Sequence, residues 1–139
     1  MKRQWQPSGI LHLLVTIVIT HPAFTQPPPI PFQHFSVEEG LSNDQVSAIT
    51  QDKYGLIWIG TSDGLNRFDG YKVDIYRNER ANKNSLPNNR VRCLFTDSHG
   101  TVWIGTSNGL TYYDDHTNSF RSFFQIPNSI NSLPSNIIT

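Results

Sequence analysis

Trp58-Ile59-Gly60-Thr61-Ser62 recurs as Trp103-Ile104-Gly105-Thr106-Ser107, 45 residues further along a chain of 139. The same offset carries Leu41 onto Leu86, Asn43 onto Asn88, Val46 onto Val91, Asp52 onto Asp97, Gly55 onto Gly100 and Gly64-Leu65 onto Gly109-Leu110. Beyond Asp114 the offset becomes 47, so Val73 and Tyr76 match Phe120 and Phe123, and Asn84-Ser85-Leu86 matches Asn131-Ser132-Leu133. Matches kept in one register over this length are an internal repeat. A period in the forties, built from short strands, is that of a four-stranded propeller blade.

Each copy reads as four strands. Val46 to Thr50 is the first, followed by a turn at Asp52-Lys53-Tyr54-Gly55. Leu56 to Gly60 is an unbroken apolar run, the pattern of a strand covered on both faces. Asp63-Gly64 and Asn108-Gly109 predict tight hairpins whose two central residues take positive φ. Leu65 to Phe68 is the third strand. Tyr71 to Tyr76 is the fourth, with Tyr71, Val73 and Ile75 alternating against Lys72 and Asp74, which predicts an outer strand with one wet face. No apolar period of a helix follows Pro31. The expected fold is therefore all-β: blade one at residues 41–85, blade two at 86–132, and the start of a third at 133–139. Residues 32–40 open with Phe32-Gln33-His34-Phe35, which resembles Phe120-Arg121-Ser122-Phe123 and predicts a strand that completes the last blade of a closed ring. On this reading the chain is the N-terminal stretch of a longer protein, and the remaining blades are its first partners.

Eleven basic and eleven acidic residues give a net charge of +0, which argues against nucleic acid as a partner. A single cysteine excludes an intrachain disulfide framework and a Cys-rich zinc site, and five histidines without ligand spacing add no metal site. No cofactor is expected. Met1-Lys2-Arg3, the apolar run Ile10 to Thr20 and the small residues at Ala23 and Thr25 form a signal peptide over residues 1–25. Residues 26–31 are a Pro-rich linker. The chain is expected to be exported.

Trp58 and Trp103 sit in the middle of apolar strands and are read as packing between blades rather than as sugar platforms. Asp52 and Asp97, each opening a four-residue turn that ends in Gly, are read as turn caps rather than catalytic acids. Asp114-Asp115-His116-Thr117-Asn118 lacks the ligand set and glycine of a calcium loop, so it reads as a solvated hairpin. The polar connections Arg77 to Asn89 and Gln125 to Asn136 join consecutive blades on the disc face where propellers bind ligands. Asn43, Asp44, Asn88, Asn89 and Arg90 are the candidate ligand-binding residues there. Arg90 offers five donors in a fixed fork, suited to carboxylate or vicinal hydroxyls. No catalytic residue is assigned.

Leu41-Ser42-Asn43 with Val46, the stretch Asp97 to Thr106, and Gly109-Leu110 resemble the two-component regulator propeller repeat. The resemblance covers Phe32 to Thr139. It implies the periplasmic sensor of a hybrid histidine kinase, or in some members of a protein with a diguanylate cyclase or other output domain. It further implies an inner-membrane anchor, a receptor homodimer, and an oligosaccharide or other small ligand whose arrival switches on genes for its use. The kinase residues would lie outside this chain, so the chain itself is expected not to be an enzyme. The sequence is also compatible with two alternatives. One is a secreted propeller enzyme, a lyase or an Asp-box-like hydrolase, although two residues separate Asp97 from Gly100 and Gly100 from Trp103 where an Asp-box has one. The other is a passive interaction scaffold.

Overall fold

A computed structural model describes residues 29–32 and 34–139. The signal peptide and most of the linker lie outside the described residues. The eight strands are β1 (Val46–Gln51), β2 (Ile57–Thr61), β3 (Gly64–Phe68), β4 (Val73–Tyr76), β5 (Val91–Thr96), β6 (Val102–Thr106), β7 (Gly109–Asp114) and β8 (Ser119–Phe123). They form two four-stranded sheets in the orders β1-β2-β3-β4 and β5-β6-β7-β8, every pairing antiparallel. The fold is all-β, and each repeat is one meander.

Repetition of sequence becomes repetition of local structure. Asp52 accepts the backbone N–H groups of Tyr54 and Leu56 on Oδ1 at 2.9 and 3.0 Å and the Trp58 indole N–H on Oδ2 at 2.8 Å. Asp97 does the same for His99, Thr101 and the Trp103 indole, each at 2.9 Å. The spacing Asp-x-x-Gly-x-x-Trp thus closes the turn and clamps the indole with a single carboxylate. These bonds, the indole's first, hold the Asp97 carboxyl below its ordinary range. Leu56 belongs to this turn, so the strand begins at Ile57.

The β2–β3 and β6–β7 hairpins differ from the sequence expectation. Thr61 pairs with Gly64, and Thr106 with Gly109, so the glycines close the turns instead of standing at their centre. Within these two turns the glycines alone have positive φ, +140° at Gly64 and +111° at Gly109; Asp63 and Asn108 do not. The threonine hydroxyl donates to the glycine carbonyl, at 3.0 Å from Thr61 and 2.9 Å from Thr106, and so fixes the turn from inside. A Cβ at Gly64 would stand 2.9 Å from the Tyr76 carbonyl, and one at Gly109 2.8 Å from that of Phe123. The outermost strand therefore passes too close for any other residue.

The two sheets pack face to face. Blade one presents Trp58, Leu65 and Tyr76; blade two answers with Val91, Val102, Ile104, Tyr113 and Phe120, and Leu86 from the connection joins them. Trp58 is 1 % exposed, its ring 5.0 Å from that of Tyr113, and Tyr76 meets Tyr113 and Phe120 at 5.6 and 5.3 Å. At the inner end the Thr50 and Thr96 hydroxyls share a hydrogen bond of 2.8 Å, and Ser47 at the β1 bulge donates to the Val91 carbonyl at 2.9 Å. Gly60 lets the sheets meet, since a Cβ there would lie 2.4 Å from Val91 Cγ1.

One further expectation changes. β4 starts at Val73, leaving Tyr71 in a turn and 98 % exposed. Its polarity is also the reverse of the expected one: Asp74 and Tyr76 face blade two, while Ile75 is exposed. Alternation assigns residues to two faces, and it is the neighbouring sheet, not the hydropathy, that decides which face is covered. Phe32, His34 and Phe35 lie outside the two described sheets, and the blade they are expected to complete is not among the described residues. Phe35 rests on Phe68 at 4.9 Å, after which Ser36–Gly40 turns. Glu39 secures that turn by accepting the Ser36 N–H and hydroxyl at 2.7 and 2.6 Å.

At the other end, residues 133–139 form no strand but dock onto blade two. Ile138 N–H donates to the Thr106 carbonyl at 3.2 Å, and Gly109 N–H to that of Asn136 at 2.6 Å. Ile138 occupies the notch above Gly105 as Val91 occupies the one above Gly60.

Candidate functional site

The segment 41–45, the β2–β3 hairpin and the connection between β4 and β5 gather at one end of the sheets. Asn43 Oδ1 accepts the Ser62 hydroxyl at 2.9 Å, Asn89 Nδ2 donates to Asp63 Oδ1 at 3.2 Å, and Arg77 forks onto the Asp63 carboxylate at 3.1 and 3.2 Å. This is the face that the sequence points to for ligand binding.

The candidate residues divide sharply by what their side chains do. Asn43 and Asn88 accept the backbone N–H two residues on, from Gln45 at 2.8 Å and Arg90 at 2.9 Å; Ser135 does the same for Ile137 at 3.0 Å. Asp44 accepts Val37 N–H at 2.8 Å, Asn89 that of Asn78 at 2.7 Å, and Asn136 that of Gln125 at 2.6 Å. A contact made three times at the same repeat position serves the fold. These four side chains order the loops through their acceptor oxygens, while the Nδ2 groups of Asn43 and Asn88 and the Oδ2 of Asp44 make no hydrogen bond among the described residues.

Arg90 is different. The matching residues are Gln45 and Ile137, and among the described residues its guanidinium makes no hydrogen bond or ion pair. It lines a shallow groove with Ser47, Val91, Arg92 and Thr139. Arg92 stands at the β5 bulge, where the matching residues are Ser47 and Thr139, and is likewise without an ion-pair partner among the described residues. Arg92 is not among the residues that loop position picks out; it departs from the repeat as Arg90 does.

A second departure from the repeat lies between the blades. Arg67, where blade two has Tyr112, donates to Asp74 at 2.9 Å and to the Tyr113 hydroxyl at 3.1 Å. Its guanidinium carbon lies 5.5–5.6 Å from the rings of Trp58, Tyr76 and Tyr113. Such contacts contribute about 0.5–2 kcal/mol each, more where water is excluded. The Arg67 pair, then Lys72, holds the Asp74 carboxyl below its usual range, while burial pushes the Tyr76 phenol up. Arg67 bonds to both sheets and acts as a clasp between them, whereas among the described residues Arg90 and Arg92 make no ion pair.

Among the described residues no group of three or more His, Cys, Asp or Glu side chains converges as for a metal ion. Asp114 accepts His116 N–H at 3.0 Å and pairs with Arg121 at 3.2 Å, and Asp115 reaches Lys53 at 3.5 Å. Trp103, read from sequence as packed between blades, is half-buried: blade one has a sheet against its Trp, whereas blade two has only residues 133–139 on that side.

Residues 40–63 and 85–108 match the family model described as two component regulator propeller. Over 55 residues, 40% of this chain, the sequence is 47% identical to Histidine kinase P4 of Formosa agariphila, of which it covers 4%. Among solved structures, the extracellular domain of a hybrid two-component system from B. thetaiotaomicron matches with a TM-score of 0.69 and 37% identity, over 76% of this chain and 15% of that one. A second such extracellular domain from the same organism matches with a TM-score of 0.50 and 28% identity, over 57% and 11%. The chain thus spans a small part of the length of these relatives.

Proposed function

From the premise that residues 40–63 and 85–108 are two-component regulator propeller repeats, we propose that the chain is the ligand-sensing part of an exported receptor of the hybrid histidine kinase type. The likeness to extracellular domains of hybrid two-component systems carries this reading. It is exported to the periplasm by residues 1–25, starts at Gln26 once processed, and belongs to a receptor held in the inner membrane. It performs no catalysis itself. The ligand, an oligosaccharide or other small molecule, binds where the blades are joined. Asn43, Asp44, Asn88 and Asn89 shape the loops there, and Arg90, with Arg92, supplies donors that nothing else occupies. A fork of guanidinium donors suits the carboxylate or paired hydroxyls of a sugar.

The test is a thermal-shift screen of the exported protein against neutral and uronic-acid-containing oligosaccharides. At least one sugar is expected to raise the melting temperature, since a ligand that binds only the folded state stabilises it. Arg90→Ala should abolish that rise and leave the melting temperature without sugar unchanged. An equal rise in Arg90→Ala, or none with any sugar, would remove Arg90 and the oligosaccharide class together. Recovery of the exported protein with Met1 still attached would remove the assigned location.

A further inference from the structure

Asn108, at the β6–β7 turn, is the only asparagine of the sequence that is followed by glycine. Glycine leaves the backbone nitrogen after an asparagine unhindered, so that nitrogen can attack the asparagine side-chain carbonyl, a reaction that makes asparagine thermolabile. The Asn108 side chain is exposed and makes no hydrogen bond among the described residues, so the group to be attacked is accessible. The nucleophile is held. Gly109 is buried, and its N–H donates to the Asn136 carbonyl at 2.6 Å. Asn136 belongs to a segment without strand pairing, kept on blade two by that bond, by Ile138 N–H on the Thr106 carbonyl at 3.2 Å, and by Ile138 over Gly105. A neighbouring blade does not cover this position: in blade one, with blade two beside it, the matching Asp63 side chain is still 47 % exposed.

We propose that Asn108 is a self-deamidating site whose rate is set by the docking of residues 136–138 on blade two. When that segment lifts, the Gly109 nitrogen gives up its proton and attacks Cγ of Asn108. The new C–N bond closes a succinimide, and the side-chain nitrogen leaves as ammonia with that proton. Water then opens the ring at either carbonyl, giving aspartate or isoaspartate; no oxidant or other reagent is needed. Reaction is confined to the opened state, so the opening equilibrium of a weakly held segment governs it. The two products act differently. An aspartate repeats blade one, where Asp63 Oδ1 accepts Asn89 Nδ2 at 3.2 Å. Asn136 matches Asn89, and its Oδ1 is likewise committed to a backbone N–H, which leaves its Nδ2 for the same role. An isoaspartate instead lengthens the backbone of a turn in which even a Cβ on Gly109 would stand 2.8 Å from the Phe123 carbonyl. The hairpin then cannot close as before, and residues 136–138 lose their seat for good. Asp63-Gly64 does not share this chemistry, because the Asp63 carboxylate, paired with Arg77 and Asn89, is a far poorer electrophile than an amide.

Peptide-mapping mass spectrometry of the chain aged at mildly alkaline pH tests this, with chromatography separating the aspartate and isoaspartate peptides. Asn108 is expected to deamidate several-fold more slowly in the folded chain than in the same chain in urea. Two substitutions loosen the segment. Ile138→Asp removes the apolar contact over Gly105, and Ser135→Ala removes the acceptor that holds Ile137 N–H at 3.0 Å. Each should speed deamidation of Asn108 several-fold while circular dichroism still reports the two sheets; if Ile138→Asp does not fold, Ser135→Ala decides. Asn108→Asp should melt with the unmodified chain, whereas material aged to isoaspartate should melt lower. Equal rates in the folded chain and in urea would overturn the proposal, as would a folded-state rate that neither substitution changes. So would an Asn108 that stays intact even in urea.

Discussion

Replacing Trp58 with alanine is expected to lower stability by about 3–5 kcal/mol, the usual cost of removing a buried large aromatic side chain. Trp58 is fully enclosed, with Tyr76 and Tyr113 on its ring and Arg67 over it. Its removal leaves a cavity at the centre of the contact between the blades and strips the Asp52 carboxylate of the indole donor. The same change at Trp103 should cost clearly less in this chain, because that ring has no sheet over it. Denaturant melts of the two variants side by side measure the difference. Equal losses would mean that the blade-two ring is covered in solution, and a negligible loss at Trp58 would place the sheets apart.

Gly60→Ala is expected to act through closeness instead of emptiness. The new Cβ would sit 2.4 Å from Val91 Cγ1, 3.1 Å from its Cβ and 3.3 Å from Ser47 Oγ. Val91 is a strand residue in the core and Ser47 is bonded to the Gly60 and Val91 carbonyls, so neither side yields without separating the blades. Overpacking of this kind costs about 1–3 kcal/mol, and here a whole interface bears it. At Gly105 the equivalent Cβ lies 2.4 Å from Cys93 Sγ, a single atom that can turn about χ1, and 2.8 Å from Ile138, which belongs to a segment without strand pairing. Gly105→Ala should therefore be the milder variant by melting temperature. The reverse order would contradict the packing described for Gly60.

The repeat made much of this fold legible, because it showed the same strand and turn signals twice and fixed their spacing. What it withheld has physical reasons. Alternation in Tyr71–Tyr76 separates two faces but does not say which one a neighbour covers, so β4 was read with its polarity reversed. Asp63-Gly64 carries the usual hairpin signal, yet the tight pass of the Tyr76 backbone decides where the glycine must stand. For the site, polarity and loop position led to five residues, of which four are loop caps repeated through the chain. Arg67, Arg90 and Arg92 depart from the repeat, and departure is the better signal, since the fold does not demand them. Only the structure separates the clasp, Arg67, from the two arginines left unpaired.

The site exists only if the two repeats stand as blades with their faces in contact. The most direct measurement of that is a cross-link between their inner strands. Thr50 and Thr96 hydroxyls approach to 2.8 Å across the interface. Thr50→Cys with Thr96→Cys, in a Cys93→Ser background, should form an intramolecular disulfide under mild oxidation. Closing a loop of this length adds about 3–4 kcal/mol in the chain-entropy account. The packing described here predicts rapid, complete closure within one molecule and a higher melting temperature. Free thiols under the same conditions, or disulfides formed only between molecules, would contradict it.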